Sequence, residues 1–436
     1  MAREMKDSGV AWIGKIPVGW NVRKIKHVAN FFNGDRGKNY PSGVDLVDDG
    51  VIFLTSNNIR GIQLDCSPDI SKFITEERYS LLGGAKIQKG DIIYCLRGSV
   101  GNCAINKSVE KGTVASSLVD IRPTDVNSDF LNFYLQSPAN SIQTSAYMNG
   151  TCAANLSAEN VANYYFVQPP IPEQNVIANF LNSKCAEIDA VLEKTRTSIK
   201  EYKKLKQAII TQAVTKGVRG DRPMKESGIE WIGAIPENWD VRRIKSIGTY
   251  RNGLTYAPED QADESGTLVL RSSNVQNGKL DFSNNVFVSC EIPAQLMVQK
   301  GDILICSRNG SRELIGKSAI INSDICASFG AFMMIFRCEC PRYMYYLLNS
   351  NIFSVYLNTF LTTTINQLTG KNFGNMNVVY CPDAVEQDEI VSFLDRRCLE
   401  LDELIAKKIS LINSLESYKK LLIYEYVTGK KEAPQA

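Results

Sequence analysis

Two stretches of this chain, Ile171 to Val218 and Asp383 to Lys431, each hold about forty residues free of glycine and proline. Both carry apolar side chains at intervals of seven. In the first, Leu181, Ile188, Thr195, Tyr202 and Ile209 form one row, and Cys185, Leu192 and Ile199 form another. In the second, the rows are Leu394, Leu401, Lys408, Leu415 and Leu422, and Cys398, Ile405 and Ile412, each matching its counterpart at an offset of 213. The spacing predicts two long helices whose stripes form a coiled-coil seam; the other reading of such a stripe is a helix laid on a globular core.

Charge sets the direction of pairing. Glu173 to Glu193 has four acids and one base, and Lys194 to Lys216 has seven bases and one acid. Asp383 to Glu403 has eight acids and two bases, and Leu404 to Lys431 has six bases and two acids. Antiparallel pairing sets each acidic half against a basic half. One exposed pair contributes only about 0.3–0.5 kcal/mol, but many of one pattern decide an orientation.

The remainder of the chain reads differently. Short β-branched and apolar runs between glycine and asparagine turns predict strands at Val51–Thr55, Gly90–Leu96, Thr113–Ala115, Leu118–Ile121 and Tyr164–Val167, with a helix over Phe130–Gln143. The order returns at Leu268–Leu270, Lys300–Ile305, Ala331–Phe336 and Val378–Tyr380. The repeat is literal at its start: Trp12-Ile13-Gly14-Lys15-Ile16-Pro17 recurs as Trp231-Ile232-Gly233-Ala234-Ile235-Pro236, and Trp12 and Trp20 map onto Trp231 and Trp239 at an offset of 219. These are all four tryptophans of the chain. The offset falls to 211 at Lys89-Gly90-Asp91 and Lys300-Gly301-Asp302, as loop insertions and deletions require. The chain is therefore a duplication of a whole module, too long in period for a solenoid. The expected division is a first domain over 1–170, a helix over 171–218, a second domain over 219–382, a second helix over 383–431 and a tail over 432–436.

Composition narrows the chemistry. The 436 residues are 44% apolar, enough for two or three cores. No run approaches the length of a membrane span and the charged start lacks a signal-peptide core, so a cytoplasmic location with no membrane partner is expected. Twelve scattered cysteines without a Cys-x-x-Cys read as buried free thiols. His27 is the only histidine. This argues against zinc catalysis, Ser-His-Asp hydrolysis and histidine acid–base chemistry. Gly310 to Ser318 resembles a phosphate-binding loop but is one residue too long to wrap a phosphate. Gln168-Pro169-Pro170-Ile171 has glutamine and isoleucine where an amino-methyltransferase motif needs its working residues. No catalytic or metal-binding residue is expected.

What recurs instead is polar side chains beside flexible turns. Thr55-Ser56-Asn57-Asn58-Ile59-Arg60 corresponds to Arg271-Ser272-Ser273-Asn274-Val275, and Arg97-Gly98-Ser99 corresponds to Arg308-Asn309-Gly310-Ser311-Arg312. Arg36, Lys38 and Tyr40 follow Asn33-Gly34, and Tyr256 follows Asn252-Gly253. Thr151 and Asn155 have counterparts in Thr363, Asn366 and Gln367. Arginine, asparagine, glutamine and serine are the residue types that grip phosphates and read base edges. A net charge of only +2 leaves local patches to do any such binding.

Two copies of Trp-Ile-Gly-x-Ile-Pro followed by Trp20-x-Val22-Arg23 or Trp239-x-Val241-Arg242, each domain leading through Glu173-Gln174 or Glu386-Gln387 into a long helix, strongly resemble the specificity subunit of type I restriction-modification systems. The resemblance implies an α+β fold: two duplicated target-recognition domains, mainly β sheet with packed helices, joined by two long antiparallel coiled-coil helices. It implies that each domain reads one half of a bipartite, asymmetric site in double-stranded DNA, with the helices setting the spacer. It further implies a non-catalytic chain that recruits two methyltransferase subunits and two restriction/translocase subunits. S-adenosylmethionine, ATP and Mg2+ would be bound by those partners and no cofactor by this chain. The open alternatives are a recognition subunit of another methylation-based defence system and a protein-binding scaffold.

Overall fold

The computed structural model describes residues 3–148, 156–361 and 366–434. It divides into two compact units, Met1–Thr195 with Ser410–Ala436, and Arg196–Ile409. Each unit is thus built from one domain of the repeat, part of one long helix and part of the other.

In the first unit a four-stranded antiparallel sheet runs in the order Ala29–Asn33, Leu118–Pro123, Ile92–Cys95, Cys103–Ile105. Alternate residues face opposite sides. Ile92, Tyr94, Val119 and Ile121 pack on Trp20, Phe130, Tyr134 and Phe166 and on Ile177 and Leu181 of the long helix. Ile93, Cys95 and Leu118 pack on Leu54 and Val114 of a second, mixed sheet. That sheet runs Gly112–Val114, Val51–Leu54, Lys72–Ile74, Leu46–Val47, and its first pair is parallel. Cover on both faces explains why these strands read as unbroken apolar runs. The single helix expected over Phe130–Gln143 is two, Ser128–Gln136 and Pro138–Met148. Pro138 cannot donate to the preceding turn and disfavours helical backbone at Ser137.

The second unit repeats both sheets, as Gly248–Asn252, Met333–Cys338, Ile303–Cys306, Ser318–Ile320, and as Ala327–Phe329, Thr267–Leu270, Phe287–Val288, Gln261–Ala262. It adds a hairpin, Val275–Gln276 with Lys279–Leu280, where the first unit has only a bridge from Ile59 to Leu64. Its turn is Asn277-Gly278, both at positive φ, as a two-residue hairpin demands. The Lys-Gly-Asp repeat has a structural cause. Gly90 and Gly301 turn at φ +91° and +93°, and the buried Asp91 and Asp302 each receive two bonds from an arginine on the neighbouring strand. Arg122 reaches Asp91 at 2.9 and 2.8 Å, and Arg337 reaches Asp302 at 2.6 and 2.7 Å.

The long helices span Ile171–Lys216 and Ala384–Val427. Their pairing is antiparallel in each unit, as the charge pattern required: Lys419 bonds Asp189 in the first and Lys206 bonds Asp402 in the second, the closest approaches being 2.6 and 2.7 Å. Every heptad position is buried or half-buried. Leu181, Ile188, Leu192 and Leu422 are buried in the first unit, and Leu394, Leu401 and Ile405 in the second. Ile199, Tyr202, Ile209, Ile412 and Leu415 are half-buried. Both readings of the stripe hold, for Leu181, Ile188 and Leu192 are also part of a domain core. Among the described residues no helix is long and apolar enough to cross a membrane.

One device fastens each domain to its helix. The indole N–H of Trp20 donates to Glu173 at 2.8 Å, and Arg3 pairs with Glu173 at 2.6 Å while lying 5.1 Å from the Trp20 ring centroid. Trp239 donates to Glu386 at 3.2 Å, and Arg222 pairs with Glu386 and lies 5.2 Å from the Trp239 ring. The glutamates sit in the first helical turn, where a negative charge also meets the favourable end of the helix dipole. Gln174 and Gln387, buried beside them, donate to the Pro169 and Cys381 carbonyls at 2.7 Å. The same tryptophans meet a helix end. Gly429 and Gly217 take positive φ just past the helices, and a Cβ on Gly429 would lie 3.0 Å from Trp20 and one on Gly217 3.4 Å from Trp239.

Two outcomes follow for stability. Glu386→Ala strands a half-buried arginine and a buried indole N–H, and it should lower the unfolding free energy of its unit by about 3 kcal/mol in a denaturant titration. Glu389→Ala, at an exposed pair with Arg219, should cost under about 0.5 kcal/mol. Asp120 lies fully buried on the strand Leu118–Pro123, with one carboxylate oxygen unpartnered. Burial, reinforced by Asp91, pushes its carboxyl up to about 8. The folded chain then keeps a proton that the unfolded chain releases near its ordinary value of 3.8, so stability falls as pH rises between those values and the loss is complete above about 8. Asp120→Asn should show a melting temperature that gains on the wild type across that interval.

Candidate nucleic-acid interface

Loops leave the same end of both sheets in each unit. In the second unit they follow Gly248–Asn252, Thr267–Leu270 and Ile303–Cys306, with a fourth between Ala327–Phe329 and Met333–Cys338. Close backbone approach holds two of them together. A Cβ on Gly253 would lie 2.2 Å from the Phe329 carbonyl oxygen, and one on Gly34 would lie 2.4 Å from that of Ala115. The repeated Asn-Gly is therefore a packing requirement.

The structure corrects two expected contacts. Asn58 and Asn274 are fully buried. Each accepts from the backbone three residues earlier, Thr55 and Arg271, at 2.9 Å. Each also donates to a carbonyl seven residues later, Asp65 at 3.0 Å and Asp281 at 2.9 Å. Their amides cap a short turn and are spent there, so neither is available to a ligand.

Around those turns the second unit forms a recess of about 1310 Å³. Tyr256, Arg271, Ser272, Ser273, Arg308, Asn309, Asn366 and Gln367, all expected from sequence, line it together with Leu254, Gly330, Phe332 and Met333. The loops are cross-tied: Asn309 donates to the Ser272 hydroxyl at 2.9 Å, and Arg308 bridges to Gln367. Arg271 donates to the Asn284 side chain at 3.1 Å, yet its Nε is buried without a partner, as is the Ser273 hydroxyl. The Arg308 guanidinium lies 5.1 Å from the ring centroid of Phe332, which is 56% exposed. The recess so presents two guanidiniums, amides and hydroxyls beside aromatic surface. Ser311 and Arg312 are exposed but do not line it; Arg312 instead donates to Asn358 at 3.0 Å. Thr363 lies outside the described residues. Lys317, of the phosphate-loop look-alike, donates to the Ser272 and Val275 carbonyls at 2.5 and 3.0 Å and so is a loop tie.

The first unit spreads its candidates more widely. Arg36 lines a recess of about 710 Å³ with Phe31, Phe32 and Ser157 to Glu159, and donates to the Ser116 carbonyl at 3.5 Å. Ser99 lines a separate recess of about 670 Å³. Lys38, Asn57, Arg60 and Arg97 are exposed, and Ser56 is half-buried. Tyr40 packs edge-on against Phe53 at 5.7 Å, which makes its ring partly structural. Thr151 and Asn155 lie outside the described residues.

Sequence reasoning passed over Phe332, Arg3 and Arg222. The arginines carried a signal, since they match at the same offset of 219 as the tryptophans. Phe332 carried none, because it stood inside a run read as one strand.

Capping and contact roles separate under mutation. Asn274→Ala should cost about 1–3 kcal/mol of unfolding free energy by leaving buried backbone groups unpaired, whereas Arg308→Ala, at an exposed side chain, should stay within about 0.5 kcal/mol; thermal unfolding of the two variants distinguishes them.

Known proteins agree with this architecture. The chain is 26% identical over 206 residues to the type I restriction enzyme EcoKI specificity subunit of Escherichia coli, a match spanning 45% of this chain and 44% of that relative. It is 24% identical over 428 residues to the MjaVIII specificity subunit of Methanocaldococcus jannaschii, spanning 95% and 94%. A chain in a solved structure of a type I R-M system, described for its complex assembly and conformational transition, shares the fold with a TM-score of 0.72 at 16% identity, covering 95% of this chain and 99% of that one. The family model for the type I restriction modification DNA specificity domain matches residues 17–201 and 236–414, nearly all of both copies of the repeat, and the chain belongs to that family.

Proposed function

We propose that this chain is the DNA sequence-specificity subunit of a type I restriction-modification complex. Each unit reads one half of a bipartite, asymmetric site in double-stranded DNA, and the long helices set the unread interval. The observation that carries this reading is the recess of the second unit, which gathers Arg271, Arg308, Asn309, Asn366 and Gln367. Two guanidiniums supply phosphate or guanine contacts, and the amides match adenine in the major groove. The chain acts without catalysis of its own. Two methyltransferase subunits and two restriction/translocase subunits supply the chemistry, with S-adenosylmethionine, ATP and Mg2+ bound by them.

Docking of those partners on the helices is supported by apolar side chains outside the seam. In the first unit Val191, Tyr418 and Leu421 are 46%, 53% and 52% exposed, and in the second Leu205, Leu399 and Leu404 are 45%, 59% and 41% exposed. Exposed apolar side chains on the helices are what such a binding face would use. A low net charge on the chain then suffices, because the partners add phosphate contacts of their own.

DNA binding by the full chain, purified with its methyltransferase partner, tests the reading. Affinity for specific duplex should fall steeply with salt as counterions are released. Arg308→Ala should weaken it by about 1–3 kcal/mol. A protein-binding scaffold would instead give a flat salt response and indifference to Arg308.

A further inference from the structure

The two units differ at one equivalent position beside the arginine of the recess. The Leu96 N–H donates to the Ser117 carbonyl at 2.9 Å, and the Ser307 N–H donates to the Phe332 carbonyl at 2.9 Å. The same backbone bond makes Ser117 and Phe332 counterparts, and makes Arg97 and Arg308, the next residues along, counterparts too. Arg308 N–H also bonds the Phe332 carbonyl at 3.1 Å. The phenyl ring is thus carried by a backbone pinned twice, more than half exposed, with a guanidinium over its face. Cation–π contact pre-orders the arginine fork and lowers the entropy lost on binding. Nearby, Arg271 Nε and Ser273 Oγ are buried without partners in the free chain.

We infer that Phe332 and Arg308 together are the specificity-determining pair of the second unit, Phe332 contacting the 5-methyl group of a thymine and Arg308 the O6 and N7 atoms of an adjacent guanine. The inference rests on the proposed DNA-reading function. In the major groove an apolar side chain distinguishes thymine by its methyl group, and an arginine fork distinguishes guanine. The first unit has serine where the second has phenylalanine, so its half-site lacks a methyl contact at that place. Divergence of the two half-sites then reduces here to one side chain on a common backbone.

The test selects bound duplexes from randomised DNA with the full chain and its methyltransferase partner, using wild type, Phe332→Ser, Phe332→Leu and Arg308→Ala. Phe332→Ser should abolish a thymine preference at one position of one half-site and leave the other half untouched, while Phe332→Leu keeps it. Replacing that thymine by uracil, which removes only the methyl group, should weaken wild-type binding about fourfold and leave Phe332→Ser unaffected. Arg308→Ala should relax the neighbouring guanine. An unchanged two-part motif in Phe332→Ser, with uracil tolerated throughout, overturns the inference and leaves the proposed function standing. Failure of the wild type to select any motif overturns both.

Discussion

Each domain depends on a carboxylate at the head of a long helix, fully buried in the case of Glu386 and half-buried in the case of Glu173. Glu173 and Glu386 accept from the indole of the domain's core tryptophan and pair with an arginine from the domain's first strand region. A buried charge is tolerated only when it is paired and hydrogen-bonded, so the three groups are required together. The geometry makes helix direction a consequence of domain packing. The tryptophan also packs beside the glycine that ends the other helix, where a Cβ would lie 3.0 Å from Trp20 and 3.4 Å from Trp239.

The candidate interface shows a division of labour within a few residues. Asn58 and Asn274 shape the turns and are buried, whereas beside them Asn57 and Arg60 are exposed and Arg271 lines the recess. A scaffold of this kind lets displayed side chains change without loss of fold, since surface substitutions cost little stability. The two units illustrate it: the capping amides are the same, while the first unit has Ser117 where the second has Phe332. Asp120, which has the apolar Ile335 as its counterpart, shows that buried positions also drifted, at the cost of a carboxyl held protonated near neutral pH.

Much of this was legible in the chain. The heptads placed both long helices, the charge gradient gave their antiparallel pairing, and the apolar runs marked most central strands. Elements of two or three residues, such as Leu46–Val47 and Phe287–Val288, carry too little pattern to be read. The break at Pro138 was readable from proline chemistry but was overrun by the apolar spacing around it. Among the candidate residues, composition could not separate Asn58 from Asn57: both are turn asparagines, and only burial distinguishes a cap from a contact. Phe332 was hidden because a strand-forming residue and a rim residue look alike until a carbonyl is seen to be turned toward Ser307 and Arg308.

The most direct measurement is to express this chain with its methyltransferase partner in a host lacking adenine methylation and map modified adenines across the genome. A two-unit reader yields one asymmetric motif in two parts with an unspecified gap, present only when both chains are expressed. Methylation absent despite a stable complex, or independent of this chain, would contradict a role in sequence specificity.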